Sequence, residues 1–235
     1  MEFAIDRPKL GGFGVESPIR LVGLIFGILV AAGICLRLVA RYAHIPCPFW
    51  LSGVLQNPLA ERRIGSGMLL RRAGVGRGMK VLDVGCGTGR IALPAGECVG
   101  AGGEVVALDI QSGMLRKLRA RIEQHGLINI RTVHAAAGSG NVERDYFDRA
   151  LLVGVLGELP SPTEALREIY DALVPGGLLS VTEMLPDPHY QSRGRVRRLA
   201  EGVGFRFRES FGNAFVFTLN FEKPSPSEIY GRISS

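Results

Sequence analysis

The sequence predicts an α/β protein built on a doubly wound, mostly parallel sheet of seven strands, with an antiparallel C-terminal hairpin and a preceding N-terminal apolar helix. From residue 79 onward, short apolar runs alternate with segments of helical periodicity, which is typical of a parallel sheet covered by helices. The last two apolar runs flank Gly212-Asn213, which indicates a hairpin. A length of 235 residues suits one ordinary domain plus about one additional element.

The region before the predicted sheet contains the most apolar stretch of the chain. Residues 21–36 include no charged residue and lie between Arg20 and Arg37. A helix that crosses the hydrocarbon core needs about 20 residues, and the two arginine side chains could extend to the head groups. We therefore expect a membrane-anchoring helix at about residues 20–40. A secretory signal peptide and a buried helix of a soluble fold are the alternatives.

Basic charge is concentrated in the same region. Residues 1–75 hold nine Lys and Arg residues against four acidic residues, whereas the rest of the chain is nearly neutral. This distribution favours contact with anionic lipid over nucleic acid, because a nucleic-acid enzyme more often carries its excess charge on the main domain. Since the basic excess follows the apolar stretch rather than preceding it, the positive-inside rule predicts a membrane-associated protein whose main domain faces the cytoplasm.

The remaining segments follow in order along the chain. We expect an N-terminal segment (1–43), a Pro-rich linker (44–58), a main domain (59–223) and a flexible tail (224–235). Within the main domain, helices are predicted at 59–73, 89–98, 112–125, 162–174 and 192–204, and strands at 79–84, 104–109, 129–135, 147–155, 177–184, 206–211 and 214–221. The four cysteines form no CxxC pair, which argues against a disulfide framework or a zinc site.

A glycine-rich turn between a strand and a helix is the sharpest signal in the sequence. The strand that ends at Val84 continues into Gly-Cys-Gly-Thr-Gly, and Asp109 ends the next strand about twenty residues later. In nucleotide-binding folds an acid at that position accepts hydrogen bonds from ribose hydroxyls. Arg90 stands where a dinucleotide fingerprint needs glycine, and the Lys-Ser/Thr pair of a P-loop is absent. Asp83 would repel a pyrophosphate but could help to hold an ammonium- or sulfonium-bearing ligand.

These features resemble the class I S-adenosylmethionine-dependent methyltransferases over roughly residues 60–222. The resemblance rests on the motifs VLDVGCGTGR, VVALD, FDRALLVGVLGELP and LREIYDALVPGGLLSVTE, and PDPHYQSRGRVRRLAEGVGF is especially similar to the quinone-biosynthesis and small-lipid branch. It implies a Rossmann-like methyltransferase fold with S-adenosylmethionine as the cofactor. It also implies that the glycines pack against the methionine and sugar, that Asp83 lies near the amino group, and that Ile110 covers the adenine.

The predicted site has a cofactor part and an acceptor part. The predicted cofactor-binding residues are Asp83, Gly85, Cys86, Gly87, Thr88, Gly89, Asp109, Ile110, Met114, Ala136 and Val153, and no metal ligand is expected. The candidate catalytic residues are Glu158, Glu183, His189 and Tyr190, which lie where strand ends would open onto the cofactor. A loop hydrogen bond or a helix cap is the alternative role for each candidate.

Two departures from the family pattern qualify this interpretation. Ala135-Ala136-Ala137 stands where the family often has an acid that meets the adenine, and Gly157-Glu158 stands where it often has paired histidines. The sequence predicts a membrane-anchored methyltransferase that acts on a lipophilic small molecule, either a quinone precursor or a membrane lipid. A soluble small-molecule methyltransferase and a catalytically silent cofactor-binding scaffold are the alternatives, and a nicotinamide oxidoreductase is the weakest. The oligomeric state and the acceptor atom are not specified by the sequence.

Overall fold

The computed structural model describes residues 20–28, 31, 65–185 and 187–225, and the chain divides into compact units at residues 1–39 and 40–235. In the first unit, residues 20–28 and 31 are helical. Large apolar side chains of this segment are 49–69% exposed. Among the described helices none is both long and apolar enough to cross a membrane. The predicted membrane-spanning helix is therefore not among them, and the rest of residues 20–40, the linker at 44–58 and most of the tail lie outside the described residues.

The second unit is an α/β domain. Its strands are β1 (Lys80–Val84), β2 (Glu104–Asp109), β3 (Ile130–His134), β4 (Phe147–Val153), β5 (Leu173–Met184), β6 (Arg206–Gly212) and β7 (Val216–Glu222). Its helices in the described part of the chain are α1 (Ser66–Arg72), α2 (Ala92–Val99), α3 (Ser112–His125), α4 (Pro162–Ala172) and α5 (Arg193–Gly202).

The strands form one sheet in the order β3-β2-β1-β4-β5-β7-β6. Strands β1 to β5 pair in parallel, whereas β7 is antiparallel to both β5 and β6. The Asn213 side chain closes the hairpin by accepting the backbone N–H groups of Phe215 and Val216, at 2.9 and 3.1 Å. These pairings confirm the predicted seven-stranded, mostly parallel sheet and its C-terminal hairpin.

Apolar side chains cover both faces of the sheet, because successive residues of a strand point to opposite faces. In β1, Val81 packs with residues of α1, α2 and α3, whereas the adjacent Leu82 packs with residues of α4 and α5. The chain leaves β1 toward β2 and β3 on one side and returns to β4 on the other. The crevice at the carboxyl ends of β1 and β4 is thus a topological switch point, where ligands bind in open α/β sheets.

The predicted boundary between α4 and β5 was wrong. Helical periodicity placed residues 162–174 in a helix, but α4 ends at Ala172 and β5 begins at Leu173, which pairs with Phe147 of β4. The Tyr146 N–H donates to the Ala172 carbonyl at 2.8 Å, so hydrogen bonding between the strands takes over where the helix would have continued. The register with β4 shifts between Leu173 and Leu178 to absorb the Pro-Gly-Gly segment. Helix α2 likewise begins at Ala92, three residues later than predicted.

Candidate functional site

The glycine-rich loop after β1 packs tightly against its neighbours. Gly85 has a φ of +69°, and an added Cβ would lie 2.5 Å from Val155 Cγ2. Gly89 has a φ of +90°, and an added Cβ would overlap Leu118. An added Cβ at Gly87 would meet nothing within 4 Å. The outer glycines therefore let the loop fit against protein, whereas Gly87 faces open space.

Asp109 connects this loop to the end of β2. Its Oδ2 accepts the Gly87 backbone N–H at 2.8 Å, and its Oδ1 accepts the Gln111 backbone N–H at 2.7 Å. The Asp109 side chain is only 6% exposed, yet the residue lines a cleft at this edge of the sheet. Two backbone bonds fix the carboxylate, and each oxygen can accept a further hydrogen bond from a ligand.

The cleft has a volume of about 260 Å³ and runs between the loops that follow β1, β2, β3 and β4. Several predicted site residues are brought together in its lining: Gly85, Gly87, Asp109, Ile110, Met114, Ala136, Val153 and Glu158. Gln111, Ala135, Ala137, Gly154, Val155, Leu159 and Pro160 also line it and were not predicted. The lining is largely apolar, with the Asp109 carboxylate fixed at one side.

Asp83 lies beneath the cleft lining rather than in it. The side chain is 2% exposed, and its Oδ2 has no hydrogen-bond partner among the described residues. Burial raises the pKa of the Asp83 carboxyl from its ordinary 3.8 to about 7, and the negative charge of Asp109 acts in the same direction. A buried carboxylate oxygen without a partner is costly, so a cation bound above the loop would stabilise the charged form of Asp83.

Three further predicted residues of the loop do not line the cleft. Cys86 is 5% exposed, and burial raises the pKa of its thiol far above the ordinary value, so the thiol is unreactive. Thr88 is 7% exposed, and its carbonyl accepts a hydrogen bond from Arg121 at 2.8 Å. Gly89 packs on Leu118. These three residues therefore pack against the protein on the side of the loop that faces away from the cleft.

The four candidate catalytic residues differ in whether they reach the cleft. Glu158 lines the cleft, whereas Glu183 and His189 are buried, at 1% and 5% exposure. Tyr190 is partly buried, donates its hydroxyl to the Ala214 carbonyl at 3.2 Å and packs edge-on against Phe217. The geometry thus gives Tyr190 a contact to the hairpin and leaves Glu158 as the candidate that reaches the cleft surface.

Two residues that the sequence did not mark hold loops at the cleft and behind it. Glu168 on α4 accepts the backbone N–H groups of Gly138 and Asn141, the latter at 2.8 Å, and so fixes the loop that carries the three alanines. Gln191 donates its backbone N–H to Glu183 at 3.0 Å and its side-chain amide to the His189 carbonyl at 2.7 Å. Both residues lie within stretches that carry the family resemblance, but their contacts to backbone groups distant along the chain leave no periodicity or spacing that would mark them as site residues.

Comparison with known proteins assigns this region. The family model described as a methyltransferase domain matches residues 81–177. Residues 81–177 are thus similar to a methyltransferase domain. This stretch begins in β1 and ends in β5, and it includes the glycine-rich loop, Asp109 and the cleft lining.

Two curated relatives of this region carry the same name. The chain is 34% identical over 122 residues to the ubiquinone/menaquinone biosynthesis C-methyltransferase UbiE of Proteus mirabilis. The aligned region covers 52% of this chain and 49% of that protein. It is 38% identical over 112 residues to the protein of that name from Idiomarina loihiensis, and this region covers 47% of this chain and 45% of that protein. The chain thus spans about half the length of the curated relatives it matches.

Solved structures agree on the fold. A SAM-dependent methyltransferase from Aquifex aeolicus superimposes with a TM-score of 0.70 at 22% identity, over 75% of this chain and 99% of that one. The [4+2]-cyclase SpnF superimposes with a TM-score of 0.60 at 18% identity, over 68% of this chain and 79% of that one. The second unit therefore has the Rossmann-like methyltransferase fold.

The methyltransferase domain and its fold imply S-adenosylmethionine as the cofactor, and the cleft fits this molecule. S-adenosylmethionine carries an ammonium and a sulfonium, and the unpartnered Asp83 oxygen is a buried negative group next to the glycine loop. Its ribose presents two hydroxyls, and Asp109 presents a fixed carboxylate to the cleft. The apolar Ile110, Met114 and Ala136 suit the faces of a purine.

Proposed function

We propose that this protein is an S-adenosylmethionine-dependent methyltransferase that methylates carbon on a lipophilic, quinone-type small molecule. The observation that carries the proposal is the fixed Asp109 carboxylate, which lies on the cleft beside the open face of Gly87. The choice of acceptor is supported by the name that the UbiE relatives carry. Because only half of their length is matched, the acceptor is inferred from the methyltransferase domain alone.

The chain's own residues divide the binding work. Asp109 would accept the ribose hydroxyls, and the main chain from Gly85 to Gly89 would lie against the methionine part of the cofactor. Asp83 would balance the positive charge of the amino group from below the loop, since its free oxygen is buried and unpartnered within the described region. S-adenosylmethionine supplies an electrophilic methyl group when it is bound. The protein then contributes chiefly by orienting the acceptor and excluding water.

The acceptor side of the cleft is formed by the loop that follows β4. Gly154, Val155, Glu158 and Leu159 line it, and Glu158 is the charged side chain of this set. Glu158, Glu183, His189 and Tyr190 are the candidate acid–base and positioning residues, because methylation at a ring carbon releases a proton from that carbon and an ionised acceptor hydroxyl makes the carbon more nucleophilic. The mostly apolar lining suits a lipophilic ring.

A membrane location follows from the same acceptor class. We propose that residues 20–40 anchor the protein and that the methyltransferase domain faces the cytoplasm. The support is the charge-free stretch at 21–36 and the basic excess of residues 1–75. The helical residues 20–28 add exposed apolar side chains, of which Phe26 is 69% exposed. Anchoring would hold the cleft near an acceptor dissolved in lipid.

One observation favours a second candidate function, a cofactor-binding protein without transferase activity. The loop after β3 places Ala135, Ala136 and Ala137 at the cleft, where the family often has an acid toward the adenine. Such a protein would bind S-adenosylmethionine but would not transfer its methyl group.

Incubation with methyl-labelled S-adenosylmethionine and a total lipid extract separates the two candidates. The proposed enzyme labels a lipid-soluble product, which mass analysis identifies as ring-methylated, and an Asp109→Asn variant gives much less of it. Retained cofactor binding without any labelled product, across extracts rich in quinone precursors and in membrane lipids, would favour the silent protein instead.

A further inference from the structure

Exposed apolar side chains of the second unit are concentrated at one edge of the sheet. In the described part of this unit the exposed large apolar residues are Ile110, Ile128, Leu185 and Phe215. Ile110 follows β2 and Leu185 follows β5, so both lie at the carboxyl ends of parallel strands. Phe215 lies at the same edge, because it precedes β7, which runs antiparallel to β5. The fourth residue, Ile128, lies before β3 at the opposite edge. The exposed apolar side chains thus gather at the edge that holds the cleft.

The hairpin tip, which we define as residues 212–215, holds Phe215 in a fixed position. The Phe215 backbone N–H donates to the Asn213 side chain at 2.9 Å, and the Phe215 carbonyl accepts the Leu185 N–H at 2.6 Å. Tyr190 donates its hydroxyl to the Ala214 carbonyl at 3.2 Å. The Phe215 side chain is nevertheless 64% exposed. Neighbouring exposed apolar side chains, unlike single ones, indicate a contact surface.

Positive charge lies beside the hairpin tip. Arg193, at the start of α5, donates to the Asn213 carbonyl at 3.0 Å, and its guanidinium lies 4.7 Å from the centroid of the Phe217 ring. Because these groups are uncharged, they leave the charge of the guanidinium unbalanced. Arg195 is exposed in the same turn of the helix. Residues 185–198 hold four arginines and one acidic residue. The tip therefore combines exposed apolar side chains with basic surroundings.

This combination fits the surface of an anionic lipid bilayer. Apolar and aromatic side chains enter the boundary between head groups and acyl chains, and arginines beside them meet the lipid phosphates. A second copy of the chain docked through the same surface would place arginines against arginines, and like charges disfavour such a contact. Charge complementarity thus favours anionic lipid as the partner.

The hairpin tip lies near the acceptor side of the cleft. The loop after β4 forms that side, and the order of neighbouring strands from there is β4-β5-β7. Adjacent strands are about 4.8 Å apart, so the start of β7 lies about 10 Å along the edge from the end of β4. Leu185, after β5, lies between them. A bilayer in contact with the tip would therefore lie next to the acceptor side of the cleft.

We propose that the hairpin tip, with Leu185 and the arginines at the start of α5, is a contact surface for anionic lipid that turns the acceptor side of the cleft toward the bilayer. The inference rests on the proposed function in one respect, namely that the acceptor is soluble in lipid. Two large side chains bury little apolar surface, so the contact is weak and reversible. It orients the domain rather than anchoring the chain.

Fluorescence quenching by brominated lipid tests the inference without methyl transfer. Trp50 is the only tryptophan of the chain, so Trp50→Phe gives a full-length background in which an introduced indole is the single reporter. In this background Phe215→Trp is mixed with vesicles of phosphatidylcholine and phosphatidylglycerol in equal parts, with bromine on the acyl chains. The lipid should quench its fluorescence strongly. The matched control is Ile128→Trp, at a site that is 94% exposed at the opposite edge, and its fluorescence should not be quenched.

Arginine replacements test the part played by charge. At a fixed lipid concentration and low salt, Arg195→Gln should reduce the quenching of Phe215→Trp several-fold. Arg77→Gln changes an exposed arginine just before β1, at the opposite edge, and should leave the quenching unchanged. Equal quenching on vesicles of phosphatidylcholine alone would overturn the choice of anionic lipid.

Three results would overturn the contact surface itself. They are an unquenched Phe215→Trp protein, equal quenching of Phe215→Trp and Ile128→Trp, and an emission shift of Phe215→Trp that depends on protein concentration and not on lipid, which would indicate a second copy as the partner. Methyl transfer to a lipid-soluble acceptor by a protein whose tip is not quenched would leave the proposed function standing. Lipid-dependent quenching in a protein that transfers no methyl group would support the surface and count against the proposed function alone.

Discussion

Replacing Asp83 by asparagine should stabilise the protein at alkaline pH while it weakens cofactor binding. In the folded protein the pKa of the Asp83 carboxyl is raised from 3.8 to about 7, first by burial and then by the charge of Asp109. Between these two values the folded state holds a proton that the unfolded state has released. The free energy of unfolding therefore falls as pH rises through this window, and the full loss is present above pH 7.

The size of the effect follows from the pKa difference. A shift of about three units corresponds to about 4 kcal/mol at alkaline pH. At about pH 5.5 roughly half of that loss has developed, so wild type should lose about 2 kcal/mol between about pH 5.5 and 8.5 through this group alone. Asparagine does not titrate, and any cost of its buried amide is the same at both pH values.

The assay is urea denaturation of wild type and Asp83→Asn at these two pH values, without cofactor. The stability of the variant relative to wild type should increase by about 2 kcal/mol on going from the lower to the higher pH. Asp109→Asn serves as a comparison, because it removes the second cause of the shift and should reduce the pH effect without abolishing it. If the difference between wild type and Asp83→Asn is the same at both pH values, the reasoning about the buried carboxylate is refuted.

Three other predictions address the loop, the cleft wall and the anchor. Gly85→Ala should lower the thermal midpoint strongly and abolish cofactor binding, because its Cβ would meet Val155 at 2.5 Å. Gly87→Ala should lower the midpoint less, since its Cβ would meet nothing within 4 Å. A larger drop in the midpoint for Gly87→Ala than for Gly85→Ala would contradict this. Glu168→Ala should free the loop at Gly138 and Asn141, so that both backbone amides exchange faster with solvent. The KM for S-adenosylmethionine should rise several-fold with little change in kcat. Unchanged amide exchange would show that Glu168 does not fix the loop. The double change Leu24→Asp and Ile28→Asp should move the protein from the membrane pellet to the supernatant after detergent-free lysis, whereas wild type that already fractionates to the supernatant would rule out the anchor.

The main features of the sheet could be predicted because they depend on local patterns. Buried strands such as Lys80–Val84 and Glu104–Asp109 are short, mostly apolar runs, and Gly126 ends α3 in the left-handed conformation that favours glycine. The start of β5 could not be predicted, because Leu173 fits the apolar face of α4 equally well. Only its pairing with Phe147, distant in sequence, decides between the two.

The candidate site divides in the same way. Asp109 and the glycines follow from the strand–loop–helix pattern, and the structure brings Asp109, Gly85 and Gly87 to one cleft. Gln191 and Glu168 contribute through contacts to backbone groups 8 to 30 residues away along the chain, which leave no periodic or spacing signal. The position of Cys86 behind the loop could not be predicted either. Side chains of a strand point alternately to two faces, but the residues of a turn follow no such rule.

Calorimetric titration of the full-length protein with S-adenosylmethionine tests the central claim most directly, because the cleft is interpreted as the site of this cofactor. Wild type should bind with one site per chain. Asp109→Asn should bind at least tenfold more weakly, as expected when charge-assisted hydrogen bonds to the ribose are lost, and Asp83→Ala should also bind more weakly. Equal affinity in wild type and in both variants would contradict the assignment of the cofactor to this cleft.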